Sequence, residues 1–427
     1  MRQEFWAPIL FLIASAAVLA AAAALSDRAE TTPRPHAAHQ VEPVRIAVAA
    51  DLHYLSPALT DGGAYFTDLI TNADGKLMQY SDAITEAFTE TIIREQPDVL
   101  VIAGDLTFNG ARQSHTDLIE KLRRIEDAGV RVLVLPGNHD LNSVMAASFH
   151  GDGFTRVESV KADDFAALYG QFGYNEALSR DSASLSYVST VSPGLRLLLI
   201  DTNTPESPGA VKRQTLQWAE EQLKAADEAG ARVICVTHQT VLQHNSAFSN
   251  GFVIVNRAEL SALLQRHGVP CSLCGHMHIQ HTETLGALTE ISVSALCVAP
   301  CQFGMLDIDA AGGVFRTETV DVAAWAAQTG SRDPALLDFA QAADAFSADN
   351  SRRQGKAAAS AAPECEAMVQ YLIDLNRAYF SGRMDTVSPD ARLLALWEEN
   401  DPFIAAYLRS ITEDTGADFT EVKFSFA

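Results

Sequence analysis

Five short stretches of this chain carry metal-competent side chains at tight spacing: Asp51-x-His53, Gly104-Asp105, Gly137-Asn138-His139-Asp140, Thr237-His238 and Gly275-His276-x-His278. Any one of these residues alone has an ordinary structural reading as a satisfied surface or core group. As an ordered series of carboxylate, amide and imidazole donors they match what first-row transition ions prefer, and they are numerous enough to fill two adjacent coordination spheres.

Such donors serve one site only if the fold brings them together, and each stretch ends a strand-like apolar run. Val44 to Ala50 leads to Asp51, Asp98 to Ala103 to Gly104-Asp105, Arg131 to Leu135 to Pro136-Gly137-Asn138, Arg232 to Thr237 to His238, and Val269 to Leu273 to Cys274-Gly275-His276. Segments of helical spacing lie between them at Ser81 to Glu95, Thr116 to Gly129, Gln214 to Ala229 and Arg257 to His267. Leu195 to Ile200 is a further apolar strand, and Leu288 to Val293 and Phe303 to Ile308 read as antiparallel strands of a second sheet. Alternation of this kind predicts a layered α/β fold, in which ligands gather at the carboxyl ends of parallel strands.

At 427 residues the chain exceeds a single ordinary core, so a catalytic domain over 44–320 and a helical appendage over 321–427 are expected. Helices are predicted at Glu364 to Phe380 and Ala391 to Ile411, with a polar, low-order insert near Ser347 to Pro363. The formal charge of -23, from 54 acidic and 31 basic residues, argues against duplex nucleic acid as an obligatory partner. A phosphate would have to be met by local positive charge, which bound cations supply. The N-terminal residues 1–28, with an apolar run from Phe5 to Leu25, read as a secretion signal or a membrane anchor, and 29–43 as a linker. The expected location is extracytoplasmic, either secreted or anchored to the outer face of the cytoplasmic membrane.

Six cysteines, at 235, 271, 274, 297, 301 and 365, are too few for a disulfide scaffold. Buried thiols or one local disulfide, for which Cys297 and Cys301 are candidates, are the expectation. Cys271-x-x-Cys274 also has the spacing of a redox or zinc half-site, though strand and turn cysteines are the simpler reading.

The five stretches, in this order, resemble the motifs of the calcineurin-like metallophosphoesterase superfamily over roughly Val44 to Asp309. The runs Gly104 to Gly110 and Tyr174 to Asp181 are similar to a secreted bacterial branch of it. The resemblance implies an α/β/β/α sandwich and a binuclear site. Asp51, His53, Asp105 and His278 would hold one ion, Asp105, Asn138, His238 and His276 the other, with Asp105 as bridge. The ions would be Fe, Mn or Zn, divalent or mixed-valence. Two cations ~3.5–4 Å apart make a bridging hydroxide the nucleophile and offset charge on the phosphoryl group, so hydrolysis of phosphate esters, phosphodiesters foremost, is implied. The substrate would be a phosphorylated small molecule, nucleotide or lipid. His139, outside the ligand set, would protonate the leaving oxygen or stabilise the transition state, a role that suits histidine as a residue type. Many members carry a carboxylate three residues after the bridging aspartate, whereas this chain has Phe108, which leaves the orienting partner of His139 to be found among groups such as Asn109 and Asp140. Asp140 has an equal reading as a structural cap.

The segment Tyr54 to Tyr80 is expected to form a rim loop, and His115, His244 and His281 to be surface or rim residues, the latter two nearest a phosphate. The rival expectation is a catalytically silent, metal-stabilised surface binding module. Intact donors and the presence of His139 argue against it.

Overall fold

A computed structural model describes residues 41–426, all within one compact unit. The expected signal or anchor, and most of the linker, lie outside the described residues. Among those residues no helix is long and apolar enough to cross a membrane.

The strands, in chain order, are β1 (Val44–Ala49), β2 (Val99–Ala103), β3 (Arg131–Leu135), β4 (Ala147–His150), β5 (Gly153–Arg156), β6 (Ser179–Arg180), β7 (Tyr187–Ser192), β8 (Leu195–Ile200), β9 (Arg232–Thr237), β10 (Cys271–Cys274), β11 (His281–Leu285), β12 (Leu288–Ser292), β13 (Gln302–Ile308), β14 (Gly312–Thr319) and β15 (Glu421–Ser425). One sheet has the order β15-β14-β13-β1-β2-β3 and the other β11-β12-β10-β9-β8-β7-β6; β4 and β5 form a separate hairpin. Strands β1, β2 and β3 are parallel, as are β8, β9, β10 and β12, while the outer strands are antiparallel. Strands buried on both faces read as continuous apolar runs, and VLVIA of β2 has all five residues buried.

One apolar cluster joins the sheets, with Ile46, Val101, Leu133 and Phe303 from the first and Leu197, Ile234 and Leu273 from the second. Helices 81–95 and 112–127 cover the outer face of the first sheet. A second cluster packs helices 213–229 and 257–266, through Leu223, Ala226, Leu260 and Leu264, on the outside of the second sheet. The layers are those of an α/β/β/α sandwich. Helix 81–95 shows why the elements form where they do: Ile84, Phe88 and Ile92 recur every fourth residue and are buried, and Gln96, left-handed at φ 48°, ends the helix one residue before Pro97.

Several boundaries differ from the sequence reading. The helix expected from Thr116 starts at Arg112, because Ala111 opens it with no side-chain cap that the sequence could advertise. The expected low-order insert is instead the end of a helix, Phe339–Ala359. Its Gly355 places no side chain between that helix and Val369 and Leu372, where a Cβ would meet their methyls at 3.1 and 3.2 Å. The single helix expected over 391–411 is two, Ala391–Asn400 and Pro402–Thr412; Asp401 caps the second by accepting from the N–H groups of Phe403 and Ile404 at 3.0 Å. The appendage is not helical to its end either, since β15 returns to the edge of the first sheet beside β14.

All six cysteines are free, so Cys297 and Cys301 do not pair. Burial, and for Cys271 and Cys274 also the charge of Glu290, pushes the thiols of Cys271, Cys274 and Cys297 well above their usual range. That is the reverse of what a nucleophilic thiol needs.

Candidate metal centre

Residues Asp51, His53, Asp105, Asn138, His238, His276 and His278 all sit just beyond the carboxyl ends of the parallel strands. Five of the seven, Asp51, His53, Asp105, His276 and His278, have positive φ between 43° and 71°. Left-handed backbone costs a non-glycine residue of order 1–3 kcal/mol, and such strain persists where surrounding structure over-determines it. The surrounding structure here is a mesh of short bonds between strand ends. The N–H of Asp51 donates to Gly104 O (3.1 Å), that of His53 to Asp105 O (2.9 Å), that of His276 to Asp51 Oδ2 (2.8 Å) and that of His139 to Asp105 Oδ1 (2.8 Å). Close approach also explains two glycines. A Cβ on Gly137 would stand 2.1 Å from Asp105 Oδ1, and one on Gly104, at φ 89°, would lie 2.4 Å from the His238 ring.

The donors fall into two half-sites. In the first, His53 Nε2 lies 3.2 Å from His278 Nε2, 3.5 Å from Asp105 Oδ2 and 3.9 Å from Asp51 Oδ1, and His278 Nε2 is 3.5 Å from Asp51 Oδ1. Donors ~2.0–2.2 Å from one transition ion at tetrahedral angles stand ~3.3–3.6 Å apart, so this spacing fits a cation. Asp51 Oδ1 is buried without a hydrogen-bond partner, which a cation would supply. In the second, His238 Nε2 lies 3.4 Å from Asp105 Oδ1 and 3.1 Å from Asn138 Oδ1, with His276 in the same group. Asp105 thus turns one carboxylate oxygen to each half-site.

Partners behind the donors fix two of the rings. His238 Nδ1–H donates to Ala103 O at 2.9 Å, so Nε2 is the nitrogen turned to the site, while His276 Nε2–H donates to Gly251 O at 2.7 Å, leaving Nδ1. Burial disfavours a charged His238, but the charge and hydrogen bond of Asp105 outweigh it and lift the ring to about 9. Burial, then the neighbouring His238, takes His276 down to about 4, and burial, then Lys76, holds His53 well below its usual value. Asp105 stays well below the usual carboxylate range: burial opposes this, and the surrounding imidazoles, His238 first, more than reverse it.

His139 is half-buried at the mouth of the site, with Nε2 3.9 Å from Asp105 Oδ2. Its orienting partner is neither Asn109 nor Asp140. Nδ1–H donates to the main-chain carbonyl of Phe108 at 2.8 Å, so the residue that lacks the carboxylate supplies an oxygen from its backbone. Asn109 donates instead to the carbonyls of Met145 (3.4 Å) and Ala147 (3.3 Å). Asp140 is the structural cap. It is fully buried and accepts from the N–H groups of Leu106 (3.0 Å), Thr107 (2.8 Å) and Gly137 (2.8 Å) and from the Thr107 hydroxyl (3.0 Å), tying the loops after β2 and β3 together.

His115, His244 and His281 are not surface or rim residues. His115 is buried between Tyr169 Oη (2.8 Å) and Asp140 O (3.0 Å). His244 and His281 are buried with their Nδ1 atoms 3.0 Å apart, His244 Nε2 3.2 Å from Glu290 Oε2 and His281 Nε2 3.2 Å from Asp414 Oδ2. They tie the C-terminal helices to the second sheet. Proximity to Gly275-His276-x-His278 in sequence misleads for His281, because β11 lies at the edge of the second sheet, separated from β10 by β12.

Two residues near the site escaped the sequence reading. Lys76, in the expected rim loop, is buried, paired with Asp74, and acts electrostatically on both His53 and Asp105. Its loop is held by Leu77 N–H to Cys297 O (2.8 Å) and, from helix 339–359, by Asn350 to Ala73 O (2.8 Å) and Arg353 to Thr71 O (2.6 Å). The one available signal was that Lys76 is the sole cation between Tyr54 and Tyr80. Phe252 lies against His276, ring centroids 6.0 Å apart; nothing in the sequence marked it.

Residues 44–280 match the family described as calcineurin-like phosphoesterase, and residues 321–418 match the C-terminal domain of cyclic nucleotide phosphodiesterase. A curated protein of Vesicomyosocius okutanii subsp. Calyptogena okutanii (strain HA), named "Probable cyclic nucleotide phosphodiesterase", is 25% identical over 185 residues, 42% of this chain and 62% of the relative. The chain therefore matches about three-fifths of that relative's length. A dimetal phosphatase from Danio rerio aligns in three dimensions with a TM-score of 0.48 and 15% identity, over 66% of this chain and 96% of that one.

Proposed function

Since this chain belongs to the calcineurin-like phosphoesterase family, we propose that it is a metal-dependent hydrolase of phosphate esters, built on two cation sites that share Asp105. The observation that carries this reading is the pair of donor groups, Asp51, His53 and His278 on one side and His238, His276 and Asn138 on the other, each facing a different oxygen of Asp105. Cations there would supply Lewis-acid charge and an activated water. The chain's own contribution is positional. Strained strand ends hold the donors, Ala103 O and Gly251 O set which ring nitrogen faces the site, and Phe108 O keeps His139 Nε2 turned toward the place where a leaving oxygen acquires its proton. Asn138 donates an amide oxygen without adding a negative charge against the incoming phosphate.

Phosphodiesters are the proposed substrates, with cyclic nucleotides as first candidates. Support comes from the name of the relative and of the family matched by residues 321–418. We place the enzyme outside the cytoplasm on the strength of the apolar run from Phe5 to Leu25; a reporter fusion after residue 43 that is active only in the cytoplasm would overturn this.

The deciding experiment is metal analysis of the purified protein together with hydrolysis of bis(p-nitrophenyl) phosphate and p-nitrophenyl phosphate, with Asp105→Asn as control. About two ions per chain and turnover lost in the variant support the reading, and the diester-to-monoester ratio sets the substrate class. Metal without turnover of either compound favours the silent binding module; absence of metal binding sinks both.

A further inference from the structure

The segment after β9 carries an aromatic side chain that the hydrolytic machinery does not use. Phe252 is 36% exposed, an unusual setting for a ring fixed so firmly. On one side its centroid is 6.0 Å from that of His276; behind it lies Phe248 at 4.8 Å, itself backed by Tyr407 of the C-terminal helices at 5.9 Å. The preceding carbonyl, Gly251 O, accepts the His276 Nε2–H at 2.7 Å. The peptide that orients a cation-site imidazole therefore also sets the height and tilt of the ring. The same segment is anchored from below: Asn245 donates to the Tyr379 hydroxyl at 2.8 Å, and Phe248 N–H to Asn245 O at 3.2 Å. A single exposed apolar side chain is ordinary in a protein. One held rigidly against a ligand-binding histidine, with its outward part open, is the arrangement of a stacking surface.

We propose that Phe252 is the platform on which a planar, heteroaromatic part of the substrate alcohol stacks, so that the preferred phosphate esters are those of nucleosides. This rests on the phosphoesterase reading and adds to it a residue that selects the substrate. A phosphoryl group held at the Asp105 half-sites would place its ester substituent at the open mouth, where Asn138 and His276 are accessible and Phe252 forms the wall. A nucleobase has a π-face whatever its edge, and a chain of formal charge -23 can still hold it by stacking. Stacking of one base on one aromatic side chain typically changes binding by about 5- to 150-fold. Because the stack forms in ground and transition states alike, its loss falls on KM more than on kcat.

The test compares adenosine 3′,5′-cyclic monophosphate with glycerophosphoethanolamine, a diester without a ring, using the metal-loaded full chain and its Phe252→Ala, Phe252→Leu and Phe252→Tyr variants. The expected result is a drop of about 5- to 150-fold in the nucleotide-to-aliphatic ratio of kcat/KM for Ala and Leu, carried by KM, with Tyr restoring the ratio. The platform is overturned if the ratio is unchanged in Ala and Leu, including the case where both substrates slow together because the ring merely props His276. It is overturned too if the wild type prefers the aliphatic ester. Metal-loaded wild type that hydrolyses no phosphate ester, bis(p-nitrophenyl) phosphate included, removes the phosphoesterase reading and the platform with it.

Discussion

His139→Asn separates two roles that the structure allows for one side chain. The His139 ring lies close enough to His53 and Asp105 to be grouped with them as a cation-binding set, yet it is outside the two half-sites centred on Asp105. Its Nδ1–H is engaged by Phe108 O at 2.8 Å and its Nε2 stands 3.9 Å from Asp105 Oδ2, so only Nε2 is available to the reaction. Asparagine retains an N–H that can reach Phe108 O and removes Nε2. Loss of a positioned general acid typically costs 10²–10⁴-fold in rate, which is about 2.7–5.4 kcal/mol of barrier. The lost packing of a half-buried ring is worth only about 1 kcal/mol of folding stability. The variant is therefore expected to fold, to retain its full complement of metal, and to lose between two and four decades of kcat on bis(p-nitrophenyl) phosphate. The assay is metal stoichiometry measured on the same preparation as steady-state kinetics. If metal and activity fall together, His139 is a ligand and the assignment is wrong; if kcat is within a few-fold of wild type, it has no part in proton transfer.

Asp140→Ala should destabilise by about 3–5 kcal/mol, because three buried N–H groups and a hydroxyl lose their acceptor; a denaturant midpoint near that of wild type would refute the capping role. Adding Mn²⁺ or Zn²⁺ to chelator-stripped protein at 100 times the dissociation constant should stabilise it by about 2.7 kcal/mol for each site filled, read as a shift in the thermal midpoint that Asp51→Asn diminishes. Burial holds His115 neutral and takes its pKa down to about 4, below the unfolded value near 6.5, so the folded state binds fewer protons in that window. Its contribution is full above pH ~6.5 and is lost as pH falls toward 4, and the stability advantage of wild type over His115→Gln should shrink over that interval, with a pH-independent difference counting against the argument. A thiol reagent should label Cys365 at most in native protein and all six cysteines after unfolding; rapid labelling of Cys271 or Cys274 would contradict their burial.

The five donor stretches were legible because they are local. Each is a strand's apolar run followed by a turn of Gly, Asp, Asn or His, and their chain order and donor chemistry were enough to nominate Asp51, His53, Asp105, Asn138, His238, His276 and His278 as one group. The convergence itself is not a property of one sheet, since Asp51, His53, Asp105 and Asn138 follow strands of the first sheet and His238, His276 and His278 follow strands of the second. What the residues could not state were relations between segments distant in the chain. That the carbonyl of Phe108 orients His139 depends on a backbone atom, which every residue possesses and no sequence distinguishes. That Asp140 caps a loop while Asp105 faces two half-sites follows from where four N–H and O–H groups happen to converge. His244 and His281 are buried rather than facing phosphate because their ring nitrogens are taken up by each other, by Glu290 and by Asp414, which lies 133 residues beyond His281 in the chain. Lys76 and Phe252 reach the site on loops held by the C-terminal helices, through Asn350 and Arg353 for one and Tyr379 and Tyr407 for the other. Local chemistry declared what could bind a cation; tertiary packing alone decided which backbone oxygens aim the imidazoles and which side chains lie beside them.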